Sequence, residues 1–262
     1  MTLEIRGLRK TFYRRGGPPQ EVLRGVDLTV AEGEFVSFIG HSGCGKSTLL
    51  NAVGGLVRPD SGEIRIDGQP ITGPGPERAM VFQNYSLLPR LSLLANVREA
   101  VRAARPQWSR ARVDEMVEHY LAAVGLWPHR HKRPHQVSGG MAQRAAVARA
   151  FAVGPRTLLL DEPFGALDAL TRSRLQQQLI DLWGSESETE MVLMVTHGLD
   201  EAILLADRIV VMADVPHPSV RRVIDVPIPR PRDRLTIVHH PAYDAIQQEL
   251  VDVLVSDQLA TV

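Results

Sequence analysis

The sequence predicts an α/β fold in which a core of buried strands and helices carries an antiparallel β subdomain and a helical subdomain. Three observations predict it. A glycine-rich stretch, residues 40–48, lies between a short apolar run and a helical pattern, as in a strand–loop–helix unit. Residues 3–8 and 22–30 alternate apolar and polar side chains, which is typical of half-buried antiparallel strands. Residues 91–151 repeat apolar side chains at helical spacing, and we expect the helical subdomain there.

The composition narrows the class of partner. The chain has 262 residues, enough for one large α/β domain with a subdomain. Its 30 Lys and Arg balance 30 Asp and Glu, so no charge excess indicates nucleic acid as a partner.

The single cysteine, Cys44, excludes an internal disulfide and favours a reducing, cytoplasmic compartment. No apolar run reaches the roughly 18 residues that span a bilayer, and residues 1–6 do not resemble a signal peptide. We therefore expect any membrane role to act through a partner.

The glycine-rich stretch is typical of a phosphate-binding loop. Its glycines let backbone amides turn toward phosphate oxygens, and the following helix adds the positive end of its dipole. Lys46 supplies a full positive charge, and Ser47 would hold Mg²⁺. The alternative is a glycine-rich turn without a ligand. The residues expected to bind nucleotide are Gly40, His41, Ser42, Gly43, Cys44, Gly45, Lys46, Ser47 and Thr48.

Two carboxylates follow an apolar strand predicted over residues 157–160. Asp161 is placed to accept from the water shell of Mg²⁺ or from Ser47, as the acidic partner of a phosphate loop does. Glu162 could polarise the attacking water as a general base. The alternative, two acids at the start of a surface loop, fits poorly with a phosphate loop upstream.

Other polar residues follow predicted buried strands. Gln83 comes directly after residues 79–82 and could reach a metal or water at the nucleotide. His197 follows the apolar run 191–195 and Thr196, so it is within reach of the same crevice, although a histidine there is more often structural. Ser138 suits a helix N-cap, and Gly139 and Gly140 leave backbone amides exposed to an anion.

Aromatic and histidine side chains offer weaker signals. Phe12 and Tyr13 end the first predicted strand, where a ring could stack on adenine or pack under a loop. The irregular spacing of His129, His131 and His135 favours a solvated loop over a metal site.

The composition changes near the C-terminus. Residues 207–212 are expected to close the sheet, and a helix over residues 242–254 with one apolar face is expected to dock on the body of the protein. We divide the chain into residues 1–213 and a C-terminal arm, residues 214–262. The prolines that predict a linker or extended arm are Pro216, Pro218, Pro227, Pro229 and Pro231.

The motifs together resemble a known family. In order, the chain carries the phosphate loop, Gln83, Ser-Gly-Gly (138–140), Leu-Leu-Leu-Asp-Glu (158–162), Ala-Leu-Asp (166–168) and Thr-His (196–197). Over residues 3–213 this order resembles the nucleotide-binding subunit of an ATP-binding cassette (ABC) transporter. The resemblance implies a RecA-like P-loop NTPase core, ATP and Mg²⁺ as cofactors, and ATP hydrolysis coupled to transport.

The resemblance implies a role for each motif. Phe12 looks like the adenine-stacking residue, with Tyr13 as the alternative, and Gln83 like the lid-loop glutamine that senses the metal and touches the membrane subunit. Residues 138–140 look like the signature that binds the γ-phosphate of ATP held by the other subunit. The residues implied as catalytic are Glu162 as base, His197 as switch histidine, Lys46 and Gln83. Those implied as metal ligands are Ser47, Gln83 and Asp161, and Asp168 resembles the acid of the dimer-contact loop.

Two copies would sandwich two ATP molecules, and hydrolysis would release them. The implied partners are two integral-membrane permease subunits, a second ATPase subunit in a homodimer or heterodimer and, indirectly, a periplasmic or extracellular substrate-binding protein. The implied location is the cytoplasmic face of the inner membrane, with peripheral attachment.

Within the family, residues 229–234 (Pro-Arg-Pro-Arg-Asp-Arg) resemble the nitrate, taurine and alkanesulfonate importer group. Residues 39–44 and 71–76 most resemble the nitrate/nitrite branch, which includes bicarbonate and cyanate relatives. Taurine, alkanesulfonate, bicarbonate and cyanate remain alternative substrates, and a non-transport cassette remains an alternative function. Two residues depart from the family pattern: Ala142 replaces the usual Lys or Gln, and Gly198 replaces the usual Asp.

Overall fold

The computed structural model describes residues 1–13, 16–165, 167–184, 188–215 and 217–259. The chain forms two compact units, Met1–Gly75 with Glu190–Val262, and Pro76–Thr189. We refer to them as the first and second unit.

The elements follow in chain order. The strands are β1 (Thr2–Phe12), β2 (Gln20–Ala31), β3 (Phe35–Gly40), β4 (Ser61–Ile66), β5 (Gln69–Pro70), β6 (Arg78–Val81), β7 (Thr157–Asp161), β8 (Met191–Val195), β9 (Arg208–Met212) and β10 (Val220–Asp225). The α-helices are α1 (Lys46–Val53), α2 (Leu93–Ala104), α3 (Arg110–Ala123), α4 (Gly139–Ala152), α5 (Ala169–Gly184), α6 (Leu199–Leu205) and α7 (Pro241–Leu259). The 3₁₀ turns are Trp127–His129, Pro134–Gln136 and Ile237–His239.

The first unit contains the antiparallel sheet, with strand order β2-β1-β4-β5. Leu3 pairs with Val30 and Ile5 with Leu28, and these four side chains are buried. Since alternate residues of a strand point to one face, the apolar positions of the predicted alternation form a buried face. The prediction of antiparallel strands over residues 3–8 and 22–30 is confirmed.

The first unit also contains a parallel core. Strand β3 pairs in parallel with β8 on one side and with β9 on the other. Apart from Gly40 and Arg208, every residue of these three strands is buried, as expected for parallel strands covered on both faces.

The prediction that residues 207–212 close the sheet is wrong. Strand β10, from the C-terminal arm, pairs antiparallel with β9, and Ile224 lies opposite Ile209. The prolines on both sides of this strand led to the prediction of a linker. None of them lies between Val220 and Asp225, so they do not prevent these residues from forming a strand. Of the prolines assigned to the arm, Pro216 lies outside the described residues.

Helix α7 docks on the first unit, as its single apolar face predicts. Ile246 and Leu250 are buried, and the helix packs on α6 and β9. The arm therefore contributes both a strand and a helix to this unit.

The second unit pairs β6 and β7 in parallel and packs α2, α3 and α4 together. Serines accept backbone hydrogen bonds at the start of each of these helices: Ser92, Ser109 and Ser138. Val97 and Val117 are fully buried or nearly so, in agreement with the helical periodicity. These helices form the helical subdomain of the expected fold.

Two of the three loop histidines, His129 and His135, lie in short 3₁₀ turns. Among the described residues, no group of three His, Cys, Asp or Glu side chains could hold a metal ion. Within the same residues, no helix has the length and apolar character needed to cross a membrane.

Candidate nucleotide site

The predicted site residues lie in both units. The first unit holds Phe12, residues 40–48 and His197, and the second holds Gln83, residues 138–140, Asp161, Glu162 and Asp168.

The glycine-rich loop connects the end of β3 to the start of α1. Helix α1 begins at Lys46, and its N-cap is Gly45. The Lys46 side chain is buried, and its ammonium donates to the carbonyl oxygens of Gly40 (2.8 Å) and His41 (2.7 Å). The loop therefore holds a positive charge next to backbone groups at a helix N-terminus, as a phosphate site requires.

Two glycines of the loop are required by close packing. Gly40 has φ +151°, and a Cβ there would lie 2.3 Å from the Met212 carbonyl oxygen. Gly45 has φ +94°, and a Cβ would lie 2.7 Å from the Val22 carbonyl oxygen. Both contacts are with backbone of neighbouring strands, which cannot move aside as a flexible side chain can.

We expect Gly45→Ala to weaken ATP binding at least ten-fold. The new methyl group would displace the N-terminus of α1 from β2, and a residue with a side chain is strained at this φ. Titration of a fluorescent ATP analogue would measure the loss. Gly184→Ala is the matched control, because open space surrounds that position. Unchanged affinity in Gly45→Ala would contradict the steric argument.

Cys44 lies inside the loop and is buried. Its Sγ is 3.6 Å from the Lys46 ammonium. Burial raises the pKa of the thiol above its ordinary value. The side chain therefore packs as a neutral thiol.

His197 lies at the end of β8 and is exposed. The residues before and after it are hydrogen-bonded. The Thr196 hydroxyl donates to Glu201 of α6 (2.5 Å) and accepts from the Gly198 amide (3.0 Å). A Cβ at residue 198 would lie 2.9 Å from Glu201 Cδ. Gly198, the departure from the family pattern, therefore leaves room for the Glu201 side chain. Glu201 thus helps to hold the backbone around His197 through Thr196. The sequence did not indicate this role.

Phe12 and Tyr13 lie at the end of β1. The exposed fractions of their side chains are 39% and 78%, which does not fit an aromatic packed under a loop. The Lys10 ammonium lies 5.4 Å from the centre of the Phe12 ring, within cation–π range. Both rings are therefore available for stacking.

In the second unit, Gln83 and Glu162 meet. The Gln83 amide donates to the Glu162 carboxylate at 2.9 Å. Glu162 has φ +47°, a left-handed conformation that costs a residue with a side chain about 1–3 kcal/mol. Asp161 ends β7 and is 9% exposed. The polar residues predicted after β6 and β7 therefore lie at one edge of this parallel pair.

The Ser-Gly-Gly motif forms the start of α4. Ser138 is the N-cap and accepts from the Met141 amide at 3.3 Å, so the N-cap prediction is confirmed. A Cβ at Gly140 would lie 2.6 Å from Thr171 Cγ2, so a larger residue there would require the Thr171 side chain to move. Ala142, the departure from the family pattern, is buried, so a longer side chain would need space that the alanine does not take.

Asp168 lies before α5 and is exposed. Its carboxylate accepts from the Thr171 amide at 3.0 Å. This hydrogen bond lowers the pKa of Asp168, which stays ionised at neutral pH. Asp168 therefore stabilises the start of α5.

Two side chains of helix α4, Arg149 and Gln143, bind the backbone just after Gln83 and just after Glu162. The sequence did not indicate either contact. Arg149 donates to the carbonyl oxygens of Tyr85 (3.1 Å) and Ser86 (2.7 Å), both of which have positive φ. The Gln143 amide donates to the Pro163 carbonyl oxygen at 2.6 Å. The signature helix is therefore tied to the chain just after Gln83 and just after Glu162.

A buried lysine in a glycine-rich loop, between a parallel strand and a helix, defines a P-loop nucleotide-binding protein. The comparisons with known proteins narrow this class. The family model described as ABC transporter matches residues 23–165. The chain belongs to the ABC transporter family, and it is an ATP hydrolase of that family.

Individual relatives agree. The nitrate import ATP-binding protein NrtD of Synechococcus elongatus is 50% identical over 245 residues, 94% of this chain and 88% of NrtD. The bicarbonate transport ATP-binding protein CmpD of Synechocystis sp. is 47% identical over 252 residues, 96% of this chain and 88% of CmpD. The predicted resemblance to the nitrate importer group is confirmed.

A solved structure supports the fold. The dimeric post-hydrolysis state of the ATP-binding cassette MJ0796, bound to ADP and Pi, has a TM-score of 0.75 and 32% identity, and the match covers 86% of this chain and 98% of that one. The expected fold, a P-loop core with antiparallel β and helical subdomains, is confirmed.

Proposed function

We propose that this chain is the ATP-hydrolysing subunit of an importer for a small anion, and that the anion is nitrate or nitrite. The observation that carries the ATPase part is the buried Lys46 ammonium inside the glycine-rich loop. The 50% identity to a nitrate import protein supports nitrate. Bicarbonate is the second candidate, because a bicarbonate transport protein is nearly as similar, at 47%.

We assign the phosphates of ATP to the loop, residues 40–48, and the adenine ring to exposed Phe12. We assign Mg²⁺ to Ser47, Gln83 and Asp161, because this ion prefers hydroxyl, carbonyl and carboxylate oxygens. Asp161 is a nearly buried carboxylate, which supports this assignment. When bound, Mg²⁺ would neutralise charge on the phosphates.

We assign the general base to Glu162. Its carboxylate accepts a hydrogen bond from Gln83, and this bond orients it. His197 is assigned to the γ-phosphate, supported by its exposed position on a backbone tied to α6.

We assign residues 138–140 to the γ-phosphate of an ATP bound to a second ATPase subunit, and Asp168 to the contact between subunits. The dimeric state of the similar cassette MJ0796 supports this arrangement. The proposed partners are two permease subunits and, indirectly, a substrate-binding protein, and the proposed location is the cytoplasmic face of the membrane. We propose residues 1–213 as the ATPase domain and residues 214–262 as a C-terminal arm built into it.

The substrate is tested in a strain that lacks this gene. We expect uptake of isotope-labelled nitrate to be lost, and growth on low nitrate as sole nitrogen source to fail. The intact chain should restore both, and Glu162→Gln should restore neither. Labelled bicarbonate uptake and growth on taurine as sole sulfur source are the matched controls, and both should be normal.

Loss of bicarbonate uptake with normal nitrate uptake would contradict the nitrate assignment and favour the second candidate. Failure on taurine alone would favour the sulfonate relatives. Normal uptake and growth in every case would leave the substrate to be sought among other solutes, such as cyanate.

A further inference from the structure

The C-terminal helix reaches the glycine-rich loop. His41 Nε2 lies 3.2 Å from the carbonyl oxygen of Leu254, in the last turns of α7. Because a carbonyl oxygen only accepts, Nε2 carries the proton and donates. The carbonyl of His41 itself accepts from the Lys46 ammonium. His41 therefore connects α7 to the buried cation of the loop.

Helix α7 is anchored on its neighbours a few residues before this contact. Ile246 and Leu250 are buried in the first unit. The Tyr243 hydroxyl donates to Asp200, in the first turn of α6, at 2.9 Å. Burial, and then this hydrogen bond, raise the pKa of Tyr243 to about 12, so the hydroxyl keeps its proton at neutral pH. The Leu254 carbonyl is thus carried by a helix anchored several residues earlier.

The arm also carries an exposed ion pair between its strand and its helix. The Arg222 guanidinium on β10 pairs with Glu249 at 3.0 Å. Strand β10 pairs in turn with β9, so this ion pair joins α7 to an element of the sheet, although an exposed pair adds little stability. Helix α7 also packs on α6, which starts two residues after His197. The same helix therefore contacts the glycine-rich loop and the element that follows His197.

We propose that α7 is a positioning element for the phosphate loop, and that it acts through the hydrogen bond from His41 to Leu254. This inference rests on the proposed role of residues 40–48 in binding ATP. The bond restrains the second residue of the loop, so its loss lets the loop sample conformations that do not fit the phosphates. Nucleotide affinity should therefore fall when this bond is lost.

The test uses the purified full chain and a fluorescent ATP analogue. His41→Asn removes the donor at the Nε2 position, because the asparagine amide is too short to reach Leu254. His41→Gln places an amide nitrogen close to the Nε2 position and is the matched control. We expect about five-fold weaker binding for His41→Asn, the usual effect of one hydrogen bond, and less than two-fold for His41→Gln.

Two shortened chains test the other partner. A chain ending after Val253 lacks the Leu254 carbonyl and should bind about five-fold more weakly. A chain ending after Ser256 keeps Leu254 and should bind as the full chain does. Combining His41→Asn with the chain that ends after Val253 should weaken binding no further than either change alone, because both remove the same bond.

Additive losses in the combined variant, or equal losses in His41→Asn and His41→Gln, would overturn the proposal. Wild-type affinity in His41→Asn would also overturn it. This variant tests the hydrogen bond even if the shorter chain does not fold. Failure of the full chain itself to bind the analogue would instead contradict the proposed function, so the two failures are distinguishable.

Discussion

Glu162→Gln is expected to reduce ATP turnover at least 100-fold while leaving ATP binding intact. Glutamine keeps the size of the side chain and can still accept the hydrogen bond from Gln83. Its amide cannot take a proton from the attacking water, so the step assigned to the general base is lost. Phosphate release measures turnover, and titration of a fluorescent ATP analogue measures binding.

The same variant should accumulate as an ATP-bound dimer, because hydrolysis is the step proposed to release the two subunits. Gel filtration with and without ATP detects this species. Glu115→Gln is the matched control, since Glu115 is exposed on α3 and pairs with Arg112. Wild-type turnover in Glu162→Gln would remove Glu162 from the role of base.

Arg232→Ala is expected to destabilise the protein by about 3–5 kcal/mol, which lowers the Tm by roughly 6–20 °C. Arg232 is 5% exposed, and burial lowers its pKa to about 10. Its guanidinium donates to four backbone carbonyl oxygens and lies 3.5 Å from the Asp207 carboxylate. The carbonyls belong to Ile203, Ala206, Val226 and Ile228.

Removal of this side chain leaves those carbonyl oxygens without their donor, and an unsatisfied buried polar group is costly. Thermal unfolding followed by circular dichroism measures the change. Arg6→Ala is the control, because Arg6 is 63% exposed and its pair with Glu4 should be worth less than about 1 kcal/mol. Equal melting temperatures for Arg232→Ala and Arg6→Ala would contradict this role.

The sequence predicted the parts of the fold that depend on local patterns. The alternation of Leu3 and Ile5 with polar neighbours predicts the antiparallel sheet, and the apolar run before Gly40 predicts a buried strand. The glycine-rich loop and the polar residues after β6 and β7 are likewise predicted from short local patterns. Each signal lies within a few residues, where period and side-chain type are informative.

Contacts between distant residues could not be found in this way. Arg149 looks like one more polar residue on a helix, yet it holds the backbone of Tyr85 and Ser86. Residues 229–234 resembled an importer group, but nothing in that pattern assigns Arg232 to the interior. The left-handed conformation of Glu162 had no signal either, because Gly is the residue that usually marks positive φ.

The discontinuous first unit has a consequence for the order in which the protein is completed. The Phe35 amide donates to the Asp207 carboxylate, 172 residues further along the chain, and Gly40 packs against the carbonyl of Met212. During synthesis, the continuous second unit can make its contacts before these partners emerge. The glycine-rich loop is thus made early but reaches its final packing only after Met212 has been synthesised. In the nascent chain, the strand that leads into the loop therefore lacks these two contacts until the segment that holds Asp207 and Met212 has been made.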